Sequence, residues 1–170
     1  MADQKSLLVD GLLKAIKGER DGHSFYQMAC SSTQDEKAKA IFTRLAEEEL
    51  DHMHFLTEHY QSVLTTGKPS ETAKLGTRLD LSEMSPIFSD GIKGRVREAH
   101  IEMSALSIGI QLELDAMNFY RSQAEAFDDP TVKQLYTELA EWESGHYQAL
   151  SRQQEELKED YWSAGGFSPF

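Results

Sequence analysis

Glu49 with His52, and again Glu143 with His146, form Glu-x-x-His pairs, while Glu19 with Tyr26 and Glu113 with Tyr120 stand seven residues apart. No other pair of either kind occurs in the chain. On a helix, residues three apart share a face within one turn, and residues seven apart share it about 10 Å along the axis. Each pair also sits in an apolar stripe. Glu49 and His52 recur with Phe42, Leu45, Met53 and Leu56; Glu19 lies between Ile16 and Tyr26, and Glu113 between Ile110 and Tyr120. Packing such stripes together would gather four carboxylates and two imidazoles in a protein interior. Unpaired, each carboxylate there would carry a penalty of several kcal/mol, and no Lys or Arg repeats on these faces to neutralise them. Two divalent cations would balance the four charges, with a neutral nitrogen from each imidazole. Carboxylate oxygen with imidazole nitrogen suits iron or manganese, and zinc is less expected at a site so rich in oxygen.

The elements that position these residues follow from periodicity and from a repeat. Displaced by 94 residues, the second half overlays the first without a gap. "ERDGHSFY" (19–26) falls on "ELDAMNFY" (113–120), and "LAEEELDHMHFL" (45–56) falls on "LAEWESGHYQAL" (139–150). The matches cover two helices and the turn between them in each half, which is a duplicated helical hairpin. Apolar spacing predicts a first helix from about Lys5 to Cys30 and a second from about Asp35 to Val63, opened by a capping box of Thr33 and Glu36. A third is predicted from roughly Val96 to Phe127. A fourth is predicted from Pro130 to about Asp160, with Asp129 as its N-cap. Short turns within each pair imply antiparallel hairpins. Residues 64–95 between the pairs form a long crossover, in which "SPIFSDGI" is expected to make one helical turn. The last residues, "SAGGFSPF", look turn-rich.

Composition narrows the class. A chain of 170 residues is expected to be one domain: repeat 1 about 5–63, crossover 64–95, repeat 2 about 96–160 and tail 161–170. A net charge of −12 argues against nucleic acid or an anionic membrane surface as partner. The single cysteine, Cys30, allows no disulfide framework and no thiolate metal centre. Neither a signal-like N-terminus nor an apolar run of membrane length is visible, so the expected location is cytoplasmic. Of the remaining polar residues, His54, His59 and His100 are expected at the surface, and His23 in local packing or at the surface. Cys30 is expected as a small buried side chain. Glu47, Glu48, Asp51, Glu155, Glu156 and Glu159 are expected on solvated faces.

A Glu from each of two helices plus Glu-x-x-His from each of the other two is the ligand set of di-iron and di-manganese carboxylate bundles. On these residues the chain resembles the ferritin-like superfamily, and within it the rubrerythrin-type proteins, from about Lys5 to Asp160. The resemblance implies an all-α, ferritin-like four-helix bundle of two pseudo-repeated hairpins with a long crossover between helices 2 and 3. It implies two iron ions held by Glu19, Glu49, His52, Glu113, Glu143 and His146. Glu49 and Glu143 would bridge, Glu19 and Glu113 would be terminal, and Tyr26 and Tyr120 would hydrogen-bond to ligand carboxylates. The activity implied is oxidoreductase chemistry, either reduction of hydrogen peroxide or dioxygen or oxidation and sequestration of ferrous iron. A metal-binding scaffold or sensor without redox chemistry is the further alternative. Rubrerythrins proper add a rubredoxin domain with Cys-x-x-Cys motifs, absent from this sequence, so electrons would come from a separate donor such as a rubredoxin. They also carry an extra glutamate near the third-helix ligand, where this chain has Ala116 and Met117, leaving a symmetric six-ligand set nearer to bacterioferritin. A homodimer or larger homo-oligomer is expected.

Overall fold

The structure, a computed structural model, describes residues 4–76, 87–88 and 100–165. Four helices occur among them: α1 (Gln4–Ser32), α2 (Glu36–Thr66), α3 (His100–Ala126) and α4 (Pro130–Gly165). No strand occurs among the described residues, and none of these helices is long and apolar enough to cross a membrane. α1 packs along α2 and α3 along α4, giving the two hairpins, and α1 lies beside α3 to join them. The result is the all-α four-helix bundle that the periodicity predicts.

The apolar core falls into two clusters, each drawing on both hairpins. One gathers Tyr26, Ile41, Phe42 and Leu45 with Leu106, Leu150 and Leu157. The other gathers Leu8, Leu12, Phe55 and Leu56 with Tyr120, Tyr136 and Leu139. Tyr26 stacks on Phe42 at 6.3 Å and Tyr120 on Tyr136 at 6.1 Å; Phe42 and Tyr136 are themselves repeat counterparts. The polar residues of the stripes lie where neither cluster reaches.

Helix ends explain most departures from the expected boundaries. The turn between α1 and α2 is capped by Asp35, whose side chain accepts from Ala38 N–H at 2.9 Å. The Thr33–Glu36 box does not form. Thr33 Oγ1 instead accepts from Asp35 N–H and donates to Glu102 on α3, tying the two hairpins together. α2 runs on through Thr66 because the first residue able to end it cheaply is Gly67, which takes φ 81° and returns its N–H to Val63. Asp129 caps α4 as expected, accepting from Thr131 and Val132 N–H. α4 continues past Asp160 to Gly165, since neither glycine nor proline interrupts the chain between Gly145 and that point.

Residues 96–99, where the third helix was expected to begin, lie outside the described residues. So does most of "SPIFSDGI", apart from Ile87 and Phe88, which are buried in the first cluster, Ile87 N–H donating to the buried Gln153. At the other end of the crossover, Ser70 N–H donates to His59 Nδ1 at 3.1 Å. His59 is therefore 4% exposed, not a surface residue, because the start of the crossover folds back over it. His54 and His100 are exposed, and His23 is half-buried, its Nδ1 2.7 Å from the Ala46 carbonyl. Cys30 is half-buried, with Sγ 3.2 Å from Thr43 Oγ1.

Candidate metal centre

Glu19, Glu49, His52, Glu113, Glu143 and His146 meet in the interior between the two apolar clusters, each with little or no exposure. Their arrangement resolves into two overlapping groups: Glu19, Glu49, His52 and Glu143 form one, and Glu49, Glu113, Glu143 and His146 the other. Within each group one ligand atom from every residue lies within 4.8 Å of the rest. Glu49 and Glu143 belong to both. Such an overlap could hold two cations that share two carboxylates, one beside Glu19 and His52 and the other beside Glu113 and His146.

The close approach has a steric condition at two glycines. A Cβ on Gly22 of α1 would meet Glu49 Oε2 at 3.2 Å, and one on Gly109 of α3 would meet the Tyr26 hydroxyl at 3.3 Å. The missing side chains let the acidic and phenolic groups reach their places.

Both tyrosines bond across the bundle rather than along their own helix. The Tyr26 hydroxyl donates to Glu113, and the Tyr120 hydroxyl donates to Glu19. Each ring is held by the aromatic stack of its own hairpin while its hydroxyl holds the carboxylate of the other. Burial, with the charge of Glu113 and Glu49 near Tyr26 and of Glu19 and Glu143 near Tyr120, raises both phenols well above their ordinary value, so they remain donors.

Without a cation, protons must balance the charge. Burial pushes Glu113 up to about 8 against the lowering influence of His146. Burial, with Glu19 and Glu143 nearby, raises Glu49 well above the usual carboxylate range. Burial alone would lower His52, yet Glu143 and Glu19 raise it to about 10. His146 is raised in the same way, chiefly by Glu113. Glu143 is the exception: burial would raise it, but the two imidazoles hold it well below its ordinary value. Even so, the atoms do not satisfy one another. Glu143 lies 3.1 Å from His52 and 3.3 Å from His146, but both Glu143 oxygens and His146 Nδ1 are buried without a well-formed hydrogen bond. Hard oxygens and imidazole nitrogens gathered this closely, with both Glu143 oxygens left unsatisfied, fit a divalent cation.

One residue of the site does not stand where the sequence suggested. Glu48 is 1% exposed, not on a solvated face. It lies one residue before Glu49, about 100° round the helix, which turns it towards α4. There its Oε2 accepts from His146 Nε2–H at 2.9 Å, and its Oε1 lies 3.6 Å from Arg44 Nε. A signal was available: its counterpart in the second repeat is Trp142, a side chain ill suited to a wholly solvated face. Glu47 is exposed, as expected, and pairs with Arg44 at 3.0 Å.

A cavity of about 310 Å³ opens between α1 and α3 directly over the carboxylates of Glu19, Glu49 and Glu113. Gly18 and Gly22 on one side and Leu112, Ala116 and Phe119 on the other form its walls, with Lys14, Asp21 and Asp115 also lining it.

Comparison with known proteins agrees with this architecture. The rubrerythrin family profile matches residues 10–83 and 104–164. Among solved structures, the chain is similar to a hypothetical protein from Pyrococcus furiosus, with 25% identity over 89% of this chain and 90% of that one and a TM-score of 0.63. No curated protein matches.

Proposed function

We propose, from the premise that this chain belongs to the rubrerythrin family, that it is a redox protein of two iron ions. It would reduce hydrogen peroxide or dioxygen, with electrons from a separate donor protein such as a rubredoxin. The observation that carries this reading is the sharing of Glu49 and Glu143 between two buried ligand groups beneath a cavity. Glu19 and His52 would complete one iron position and Glu113 and His146 the other, with manganese the next best cation for the same donors. Two iron ions supply the one-electron steps that together make a two-electron reduction. The chain's own residues supply the rest. Tyr26 and Tyr120 orient the terminal carboxylates through their hydroxyls. The two apolar clusters keep water from the centre along the bundle axis, leaving the α1–α3 cavity as the approach for a small oxidant. Ala116, in the turn after Glu113, keeps that approach open where rubrerythrins proper carry a further glutamate. The single cysteine of this sequence cannot form a rubredoxin centre, and a separate reduced rubredoxin is the donor proposed. A cytoplasmic location and assembly as a homodimer or larger homo-oligomer belong to the same proposal.

The test is anaerobic. Ferrous iron is loaded, hydrogen peroxide or dioxygen is added, and oxidation and re-reduction by reduced rubredoxin are followed by absorbance. Oxidation faster with peroxide than with dioxygen, followed by turnover with the donor, is expected. Equal rates without turnover would defeat the peroxidase reading.

Ferroxidase activity is the second reading, and the cavity lining favours it in one respect. Asp21 and Asp115, repeat counterparts, both line the cavity and offer oxygen ligands to an entering ferrous ion. This reading predicts uptake of many irons per subunit and a large assembly, so a dimer on a sizing column would count against it.

A further inference from the structure

The two halves of the site agree in every expected ligand and differ in what stands behind the imidazoles. Behind His146, the Glu48 carboxylate accepts the Nε2–H at 2.9 Å. Arg44 approaches the other Glu48 oxygen at 3.6 Å while bonding Glu47 at 3.0 Å. The chain Arg44–Glu48–His146 fixes the ring orientation and leaves Nδ1 facing inward, 3.5 Å from Glu113 and 3.3 Å from Glu143. Behind His52 that chain is missing. The repeat counterparts of Arg44 and Glu48 are Glu138 and Trp142. The Trp142 ring meets the His52 ring edge-on at 5.0 Å, and the buried Nε2 of His52 has no hydrogen-bond partner among the described residues. His52 Nδ1 still faces inward, 3.3 Å from Glu19 and 3.1 Å from Glu143.

We infer that the two cation positions are unequal, the one framed by Glu113 and His146 holding its ion more tightly than the one framed by Glu19 and His52, with Glu48 as the positioning residue that makes the difference. This rests on the two-metal reading above. A carboxylate behind a ligating imidazole selects its tautomer, fixes its plane and makes the inward nitrogen a stronger donor. For His146 the ring plane is fixed and its Nε2–H has an acceptor in Glu48 before a cation arrives. For His52, presenting an inward lone pair leaves an Nε2–H buried without an acceptor, so part of the binding free energy is lost in holding that tautomer. Removing such a carboxylate partner typically weakens metal affinity about 10- to 100-fold, and the two positions differ by the presence of one. The tight position would keep its cation while the other exchanges.

The test titrates the metal-free, full-length protein with cobalt(II) under anaerobic conditions, followed by calorimetry and by visible absorption. The natural protein is expected to bind two ions in resolved steps, with dissociation constants about 10- to 100-fold apart. Glu48→Gln removes the charge and should weaken the tight step by about the same factor, drawing the two steps together. Two further variants assign the steps independently of how Glu48→Gln folds: His52→Ala should keep the tight step and lose the weak one, and His146→Ala should do the reverse. Two equal steps in the natural protein, an unchanged tight step in Glu48→Gln, or loss of the tight step in His52→Ala would each overturn the inequality while leaving the two-metal centre standing. Failure to bind cobalt at all would overturn both.

Discussion

The two hairpins differ least where they meet and most one layer further out. Glu19 and Glu113, Glu49 and Glu143, His52 and His146, and Tyr26 and Tyr120 are identical at a spacing of 94 residues. Just behind them Arg44 stands against Glu138, Glu48 against Trp142, Gly22 against Ala116 and Phe42 against Tyr136. The groups gathered at the buried centre are held to one chemistry by the charge that must be balanced there. The groups that support them are free to diverge, provided each keeps its neighbour in place. An internally duplicated site can thus remain symmetric in its ligands and become asymmetric in its properties.

The sharpest way to break this comparison is through the shared carboxylates. Glu49→Ala and Glu143→Ala each remove a residue common to both ligand groups, so either should reduce bound iron from two ions towards none, as measured by elemental analysis of reconstituted protein. Glu19→Ala and Glu113→Ala remove a residue from one group only and should leave about half of the metal. If the bridging and terminal variants lost the same amount, the division into shared and private ligands would be wrong.

The metal-free state offers a second test, with an unusual sign. His52 has its ionisation raised from 6.5 to about 10, and Glu113 from 4.5 to about 8. For a group raised on folding, the stabilisation is complete below its unfolded value and is lost as pH rises through the folded one. These two contributions therefore disappear between about pH 4.5 and pH 10. Glu143, shifted down, acts in the opposite sense, but its contribution is lost only as pH falls below the ordinary carboxylate range. The apo-protein should melt at progressively lower temperature from pH 6 to pH 10, whereas the iron- or manganese-loaded protein should not. Thermal unfolding with and without chelator reads the difference, and parallel curves would show that the buried cluster does not carry the charge balance described.

Smaller effects are expected from the crossed tyrosines. Tyr26→Phe and Tyr120→Phe each remove one donor from a buried carboxyl group, a loss of about 1–3 kcal/mol for a buried acceptor left without its partner. The two should cost a similar amount in denaturant unfolding, because each hydroxyl serves a buried carboxyl group at the matching position of the opposite hairpin. The smallest effect belongs to Gly22→Ala. Helix propensity would favour alanine by about 1 kcal/mol, but the added methyl would press on Glu49 at 3.2 Å. Global stability should change little while metal affinity falls; unchanged affinity would mean that Glu49 has room to move.

Much of this is legible in the amino-acid sequence alone. Amphipathic periodicity and the 94-residue repeat were enough for two hairpins, for the buried stripe and for the six polar residues on it, because these are properties of helical geometry acting on sequence. The Asp129 cap was readable too, since Asp-Pro at a helix start is a local signal. The Thr33–Glu36 box misleads for the opposite reason: Asp35 stands two residues nearer the helix, and Thr33 is engaged by Glu102, 69 positions away in the chain. Glu48 is buried against His146 by the same long-range cause, 98 positions away, and His59 beneath Ser70 by the chain turning back just after its own helix. One helical stripe says which residues face inward, but a residue on its edge is buried or exposed according to which neighbour lies alongside.

By itself, then, the sequence determined the four helices found among the described residues, their pairing and a set of buried acidic and imidazole groups whose charges two cations would balance. Only the tertiary structure decided that each tyrosine serves the carboxylate of the opposite hairpin, that a cavity opens over the site between α1 and α3, and that one histidine is backed by a carboxylate and the other by an indole. Those facts depend on the rotation and separation of helices far apart in the chain. Packing of the whole bundle sets both, and no local pattern encodes them.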